Sequence, residues 1–269
     1  MTISNERYEA GLNNLRIIDK EAGEVVVNSL NNFSPDLVKY IIEYAFGDIY
    51  SRSGLELKTK ELTVVAALTA MGNASPQLKV HIHGALNVGC NIAEIQEVIL
   101  QMSGYAGFPS AINGMLALKN VVADRKLEGK LDELGLIQSS PIPNNSTRYE
   151  CGAKNLRILN TNQVENLEET FKDISPDMAK LVIEYGFSDI FSRPALSIKH
   201  REMATIAALT AMGTAPSQLK FHISAGLNIG ISQVEIREIM ILMSVYSGFP
   251  SAINGTLVLK EVINENAKK

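Results

Sequence analysis

Two acid–histidine sets stand out, Glu61 with His81 and Glu202 with His222, twenty positions apart each time. A carboxylate that holds an imidazole can steady its protonated form. An imidazole titrates near pH 6.5, so such a pair can move a proton under neutral conditions. Two plainer roles compete with that one: a half-buried histidine bonded to a backbone carbonyl, and a glutamate favoured by the positive end of a helix. Around the pairs lie Arg52 in Asp-Ile-Tyr-Ser-Arg and Arg193 in Asp-Ile-Phe-Ser-Arg. Their planar forks suit a substrate carboxylate or, as readily, a neighbouring acid. Tyr105-x-Gly107-Phe108-Pro109 and Tyr246-x-Gly248-Phe249-Pro250 supply rings that are core residues by default and pocket walls if a ligand binds beside them.

The elements that must position these groups are written twice. Tyr8-Glu9-Ala10-Gly11 returns as Tyr149-Glu150-Cys151-Gly152, and the same offset maps Ser34-Pro35-Asp36 onto Ser175-Pro176-Asp177. It also maps Ala66–Gly72 onto Ala207–Gly213, and Phe108–Gly114 onto Phe249–Gly255, with no insertion or deletion. So long a period is a tandem duplication rather than a solenoid. The reading is one module over 1–137, a Pro/Asn/Ser linker over 138–147 and a second module over 148–269.

Each module reads as an all-α succession. Ser34 before Pro35 and Asp36 predicts a helix start with a capping serine, followed by Leu37, Tyr40, Ile41 and Tyr44 at helical spacing. Glu61 to Met71 is apolar nearly all round, as in a helix at the centre of a bundle. The short turn after it makes the next helix its neighbour, with Leu78, Ile82, Ala85 and Leu86 in one stripe and His81 at the stripe's edge. Asn91 with Glu94, and Ser232 with Glu235, predict capping boxes. Pro109 opens a last helix running toward Leu127, and the charges of residues 124–133 read as its solvated end.

Composition narrows the classes. A net charge of −4 and pI near 5.7 give no basic footprint for nucleic acid. No apolar run reaches the ~20 residues a membrane span needs, and the first residues lack the order of a signal peptide, so a cytoplasmic protein is expected. Cys90 and Cys151, far apart and non-equivalent, make neither a disulfide framework nor a CxxC pair. With four histidines and no clustered ligands, no metal is expected.

In order, SRxxL, (K/R)E opening an alanine-rich helix, QLKxHI, GLNxG, ExxE and YxGFPSAING resemble the carboxymuconolactone decarboxylase family, within the all-helical superfamily of alkyl hydroperoxidase D. The resemblance spans nearly all of both halves. It implies a cofactor-free site near module boundaries, with Glu61, His81, Glu202 and His222 at the proton-relay positions. It also implies ring assembly, which for a two-module chain means a homotrimer with six module positions. Arg201 precedes Glu202, whereas copy one has Lys60, a cation without the planar fork. The peroxidase branch needs a CxxC just before the histidine; those places hold Ala74 and Gln77, and Ala215 and Gln218. The activity implied is decarboxylation of a small carboxylated lactone or keto acid. An atypical thiol oxidoreductase and a non-catalytic oligomeric ligand-binding protein are the alternatives.

Overall fold

The computed structural model describes residues 6–136 and 146–268. All regular structure among them is helical. The first module contains α1 (Glu6–Leu30), α2 (Pro35–Tyr40), α3 (Leu57–Met71), α4 (Ser75–Asn87), α5 (Ile92–Gln101) and α6 (Phe108–Leu127). The second contains α7 (Arg148–Leu159), α8 (Gln163–Phe171), α9 (Pro176–Leu181), α10 (Ile198–Met212), α11 (Pro216–Asn228), α12 (Gln233–Tyr246) and α13 (Gly248–Asn266). The expected linker, apart from Ser146 and Thr147, lies outside the described residues. No described helix is long and apolar enough to cross a membrane.

The extra helix in module two has a local cause. Asn160 leaves helical geometry at φ −154°, ψ 120°, which separates α7 from α8. Its counterpart Asp19 stands at φ −155°, ψ 98°, so α1 contains the same break as a kink. Near this end Gly11 and Gly152 each lie against a backbone carbonyl. A Cβ there would stand 2.0 Å from the oxygens of Ile42 and Ile183. That contact explains the glycine in both Tyr-Glu-x-Gly repeats.

Beyond α2 and α9 the chain continues as π-helix, over Ile41–Ile49 and Val182–Ile190. Such segments are rare and concentrate at functional sites. Two expectations for this region change. Pro35 and Pro176 do sit in the first turn, but neither Ser34 nor Ser175 makes a side-chain cap. The inward face is Val38, Ile42, Phe46 and Ile49, while Leu37 and Tyr40 are exposed. This face keeps ordinary helical spacing but lies one position along from the expected stripe, of which Ile41 and Tyr44 are half-buried.

Both capping boxes form as predicted, at Asn91/Glu94 and Ser232/Glu235. Thr147 with Glu150 makes a third. From Thr59 to Ala70 every residue of α3 is buried, and α10 is buried in the same way from Arg201 to Ala211. These two helices pack against each other and merge the modules into one apolar core that runs from Leu15 to Val262. Thr59 Oγ1 lies 3.3 Å from His200 Nε2, and these are equivalent positions in the two copies, so the contact marks the pseudo-twofold axis. A smaller core under α7 and α8 includes Leu156, Leu159, Val164 and Phe187. The end of α6 departs from the solvated reading: Arg125 is buried, bound to Asp132 and Asn87, and the following chain folds back over the start of α5.

Candidate active site

Glu61 lies beyond the first turn of α3, too deep for a simple helix-end role, and is fully buried. Its Oε2 is 2.8 Å from Nδ1 of His81 on α4. Glu202 and His222 repeat the arrangement from α10 and α11, again at 2.8 Å. Both histidines are buried at about one-twentieth exposure. With Nδ1–H donating to the carboxylate, Nε2 is left for a substrate or another side chain.

The other module completes each site. Tyr246, at the end of α12, sets its ring edge-on to His81 with centroids 4.9 Å apart. Tyr105 of module one stands edge-on to His222 at 5.3 Å, and its hydroxyl is 3.2 Å from His222 Nε2. The π segments supply reciprocal ties: Tyr44 meets Ser244 and Tyr185 meets Ser103, each pair of hydroxyls 2.6 Å apart. Phe249 lies against Tyr44 and Phe108 against Tyr185, both with centroids 5.8 Å apart and both phenylalanines exposed.

The arginines are placed differently from a free carboxylate clamp. Arg52 binds Glu238 of the other module through two bonds, of 2.6 and 2.7 Å. Arg193 binds Glu97 at 2.7 Å. The ExxE signature therefore splits in function: Glu94 and Glu235 cap their helices, while Glu97 and Glu238 reach across the module boundary. Fully buried Arg201 joins Glu97 at 2.7 Å and also donates to the Arg193 carbonyl and Gln101. Lys60, its counterpart, donates to the carbonyls of Tyr50 and Arg52, at 2.7 and 2.5 Å. Burial pushes both Lys60 and Arg201 below their ordinary pKa.

The two sites differ most at a position the motifs did not single out. Tyr50 donates to Glu61 Oε1 at 2.7 Å and meets the Tyr246 hydroxyl at 2.8 Å. Burial, then the Glu61 charge, raise both phenols well above the usual range, so they remain donors. Module two has Phe191 there, and Glu202 Oε1 is buried with no hydrogen-bond partner among the described residues. The signal was visible as Tyr against Phe between otherwise identical stretches. Burial likewise raises the Tyr105 phenol.

A cavity of about 850 Å³ opens against the second site, reaching His222, Tyr105, Phe108, Phe191 and Phe221 and extending to α8 and α9. The wall is mostly apolar. The positions of the missing CxxC are partly in it: Gln218 lines the cavity, two residues from Lys220 and four from His222. Cys90 is buried, and desolvation pushes its thiol up to about 12.

Fold and site together define a doubled helical module with a buried carboxylate–imidazole pair in each half. The carboxymuconolactone decarboxylase family model matches the chain twice, over residues 35–120 and 176–261, and the chain belongs to that family. It is 33% identical over 123 residues to the 4-carboxymuconolactone decarboxylase of Acinetobacter baylyi, covering 44% of this chain and 89% of the relative. It is 28% identical over 112 residues to the nitrosuccinic acid decarboxylase of Metarhizium robertsii, covering 42% and 78%. An uncharacterised 15.0 kDa protein of Paracoccus denitrificans shares 31% over 103 residues, covering 38% and 77%. Each match is about one module long. Decarboxylase is the activity class that the family and its named relatives support.

Proposed function

We propose that this chain removes CO2 from a carboxylated lactone or keto acid, using Glu202 and His222, and Glu61 and His81, as proton relays without a cofactor. The observation that carries this reading is the buried carboxylate–imidazole contact at 2.8 Å, repeated in both modules. The bond from the substrate to its carboxylate breaks, and the electron pair enters the adjacent carbonyl system as an enolate. The Nε2 proton of an imidazolium then goes to carbon, and the histidine regains a proton from solvent. Glutamate at Nδ1 steadies the charged ring while it waits. An apolar wall disfavours the solvated carboxylate relative to the charge-dispersed enolate. With Arg52 and Arg193 held by Glu238 and Glu97, their part is to fix the module junction around the site. The Tyr105 and Tyr246 rings and Phe108 and Phe249 are assigned to the substrate-facing boundary.

The assembly proposed is a homotrimer. Phe108, Ile112 and Leu116 form an exposed stripe on α6, and Phe249, Ile253 and Leu257 repeat it on α13, which suits a ring built from copies of this chain. Light scattering on purified protein that gives a monomer mass removes this assembly.

The activity is tested by incubating full-length protein with 4-carboxymuconolactone and with small 3-keto acids while CO2 release is followed. Turnover above the uncatalysed rate is expected on at least one of them. His81→Ala combined with His222→Ala abolishes it while the helical circular dichroism is retained. Full activity in that double variant overturns the relay, and no release by wild type on any of these acids overturns the substrate class.

A further inference from the structure

The cavity beside His222 is much larger than a small lactone acid requires. Its 850 Å³ lies near the top of the roughly 300–1,000 Å³ range of ligand pockets. Allowing each non-hydrogen atom roughly the 30 Å³ that a water molecule occupies in the liquid, an acid of about a dozen such atoms fills less than half. What surrounds the remaining space is mostly hydrocarbon: Leu156, Leu167, Phe171, Phe187, Phe191 and Phe221 line it, with Gln163, Thr170 and Gln218 among them.

Charge in the wall points the same way. Arg148 is the lining residue with a permanent charge, and Asp189 already binds it through both oxygens, with Glu184 at 3.6 Å. Arg193 and Arg201 beneath the site are held by Glu97. No unpaired cation in the described wall awaits a second carboxylate. From this we infer that the second-module site takes a monocarboxylic acid carrying an extended apolar body. The reacting end lies at His222 and Tyr105, and an alkyl or aryl chain runs along Phe191 and Phe221 toward Leu167 and Phe171. This deepens the decarboxylase reading and rests on it for the orientation of the acid.

The test uses unreactive probes, so binding is separated from turnover. Straight-chain carboxylic acids from butanoate to dodecanoate, below their aggregation thresholds, are titrated calorimetrically into full-length protein. Affinity is expected to rise about three- to fourfold per added methylene, the increment for moving one CH2 out of water, until the cavity is filled. Leu167→Trp and, separately, Thr170→Phe fill the far wall and lower the decanoate-to-butanoate affinity ratio at least tenfold. Two variants guard against a folding defect in either, with circular dichroism as the check. A flat series, or the same steep series in both folded variants, overturns the proposal even if wild type releases CO2. A steep, variant-sensitive series without CO2 release from the matching 3-keto acids leaves the binding class standing and sinks the decarboxylase reading instead.

Discussion

Module one and module two hold the same glutamate and histidine at the same separation, yet the two carboxylates live differently. Glu61 is bonded on both oxygens, to His81 and to Tyr50, and Tyr50 continues into Tyr246. Glu202 is bonded on one oxygen, while Tyr105 reaches Nε2 of its histidine instead. One hydroxyl accounts for this. Where Tyr50 has it, the opposing tyrosine is drawn to it; where Phe191 lacks it, the opposing tyrosine is available to the imidazole. A carboxylate that shares its charge between two donors pulls less strongly on either. Duplication has thus kept the pair and changed its surroundings.

The largest test of this comparison is the single-histidine pair of variants. His222→Ala is expected to cut the second site's own turnover by about 10²–10⁴-fold, the usual contribution of a positioned acid–base group, leaving only the smaller share that the first site supplies. His81→Ala should retain most of the turnover. Equal losses would make the sites equivalent and break the comparison.

A second contrast concerns the clamps. Glu97 neutralises Arg201, which is fully buried, so Glu97→Gln leaves a buried charge with a neutral neighbour. Removing one partner of a buried pair costs about 3–5 kcal/mol, here read as a lower denaturation midpoint. A loss below about 1 kcal/mol would show that Arg201 finds compensation elsewhere.

The hydroxyl itself can be moved. Tyr50→Phe strips Glu61 Oε1 of its donor, at a cost of about 1–3 kcal/mol. Phe191→Tyr offers Glu202 the donor it lacks, so a rise of a few degrees in Tm is expected, along with slower turnover. Each kcal/mol corresponds to roughly 2–4 °C in a chain near this size. Opposite signs in the two variants support the comparison; a fall in Tm in both would mean that Phe191 sits where no hydroxyl fits.

Much of this was legible in the sequence, because repetition exposes what must stay constant. The all-α modules, the buried central helix and the capping boxes followed from period and local hydrogen bonding. The Glu–His contacts could be named but not measured, since the approach of α3 to α4 is set by packing. Three features escaped for physical reasons. Apolar residues occupy both faces of α2 and of the segment after it, so periodicity alone could not choose the inward face, and the stripe at Leu37 and Tyr40 pointed the wrong way. Arg125 looked solvated because Asp132, which binds it, belongs to chain that folds back after the helix ends. Glu97 and Glu238 stood in the sequence only as the second acid of ExxE, with no role assigned, because their arginine partners come from the other module, 96 and 186 positions away. Sequence spacing carries no trace of such a pairing.

The smallest effect belongs to the other clamp. Arg52 beside Glu238 holds that carboxyl below its usual range. A depressed folded value means stability that is present above the unfolded pKa of about 4.3 and lost as pH falls through the folded value. The Arg52 side chain is 42% exposed, so solvent screens the pair, and Glu238→Gln should cost less than about 1 kcal/mol at pH 7. Urea midpoints for wild type and Glu238→Gln should converge as the pH is lowered beneath 4. A gap that persists or widens in acid would place the stabilisation in packing against Gly54, whose absent Cβ leaves room for the Glu238 side chain, rather than in charge.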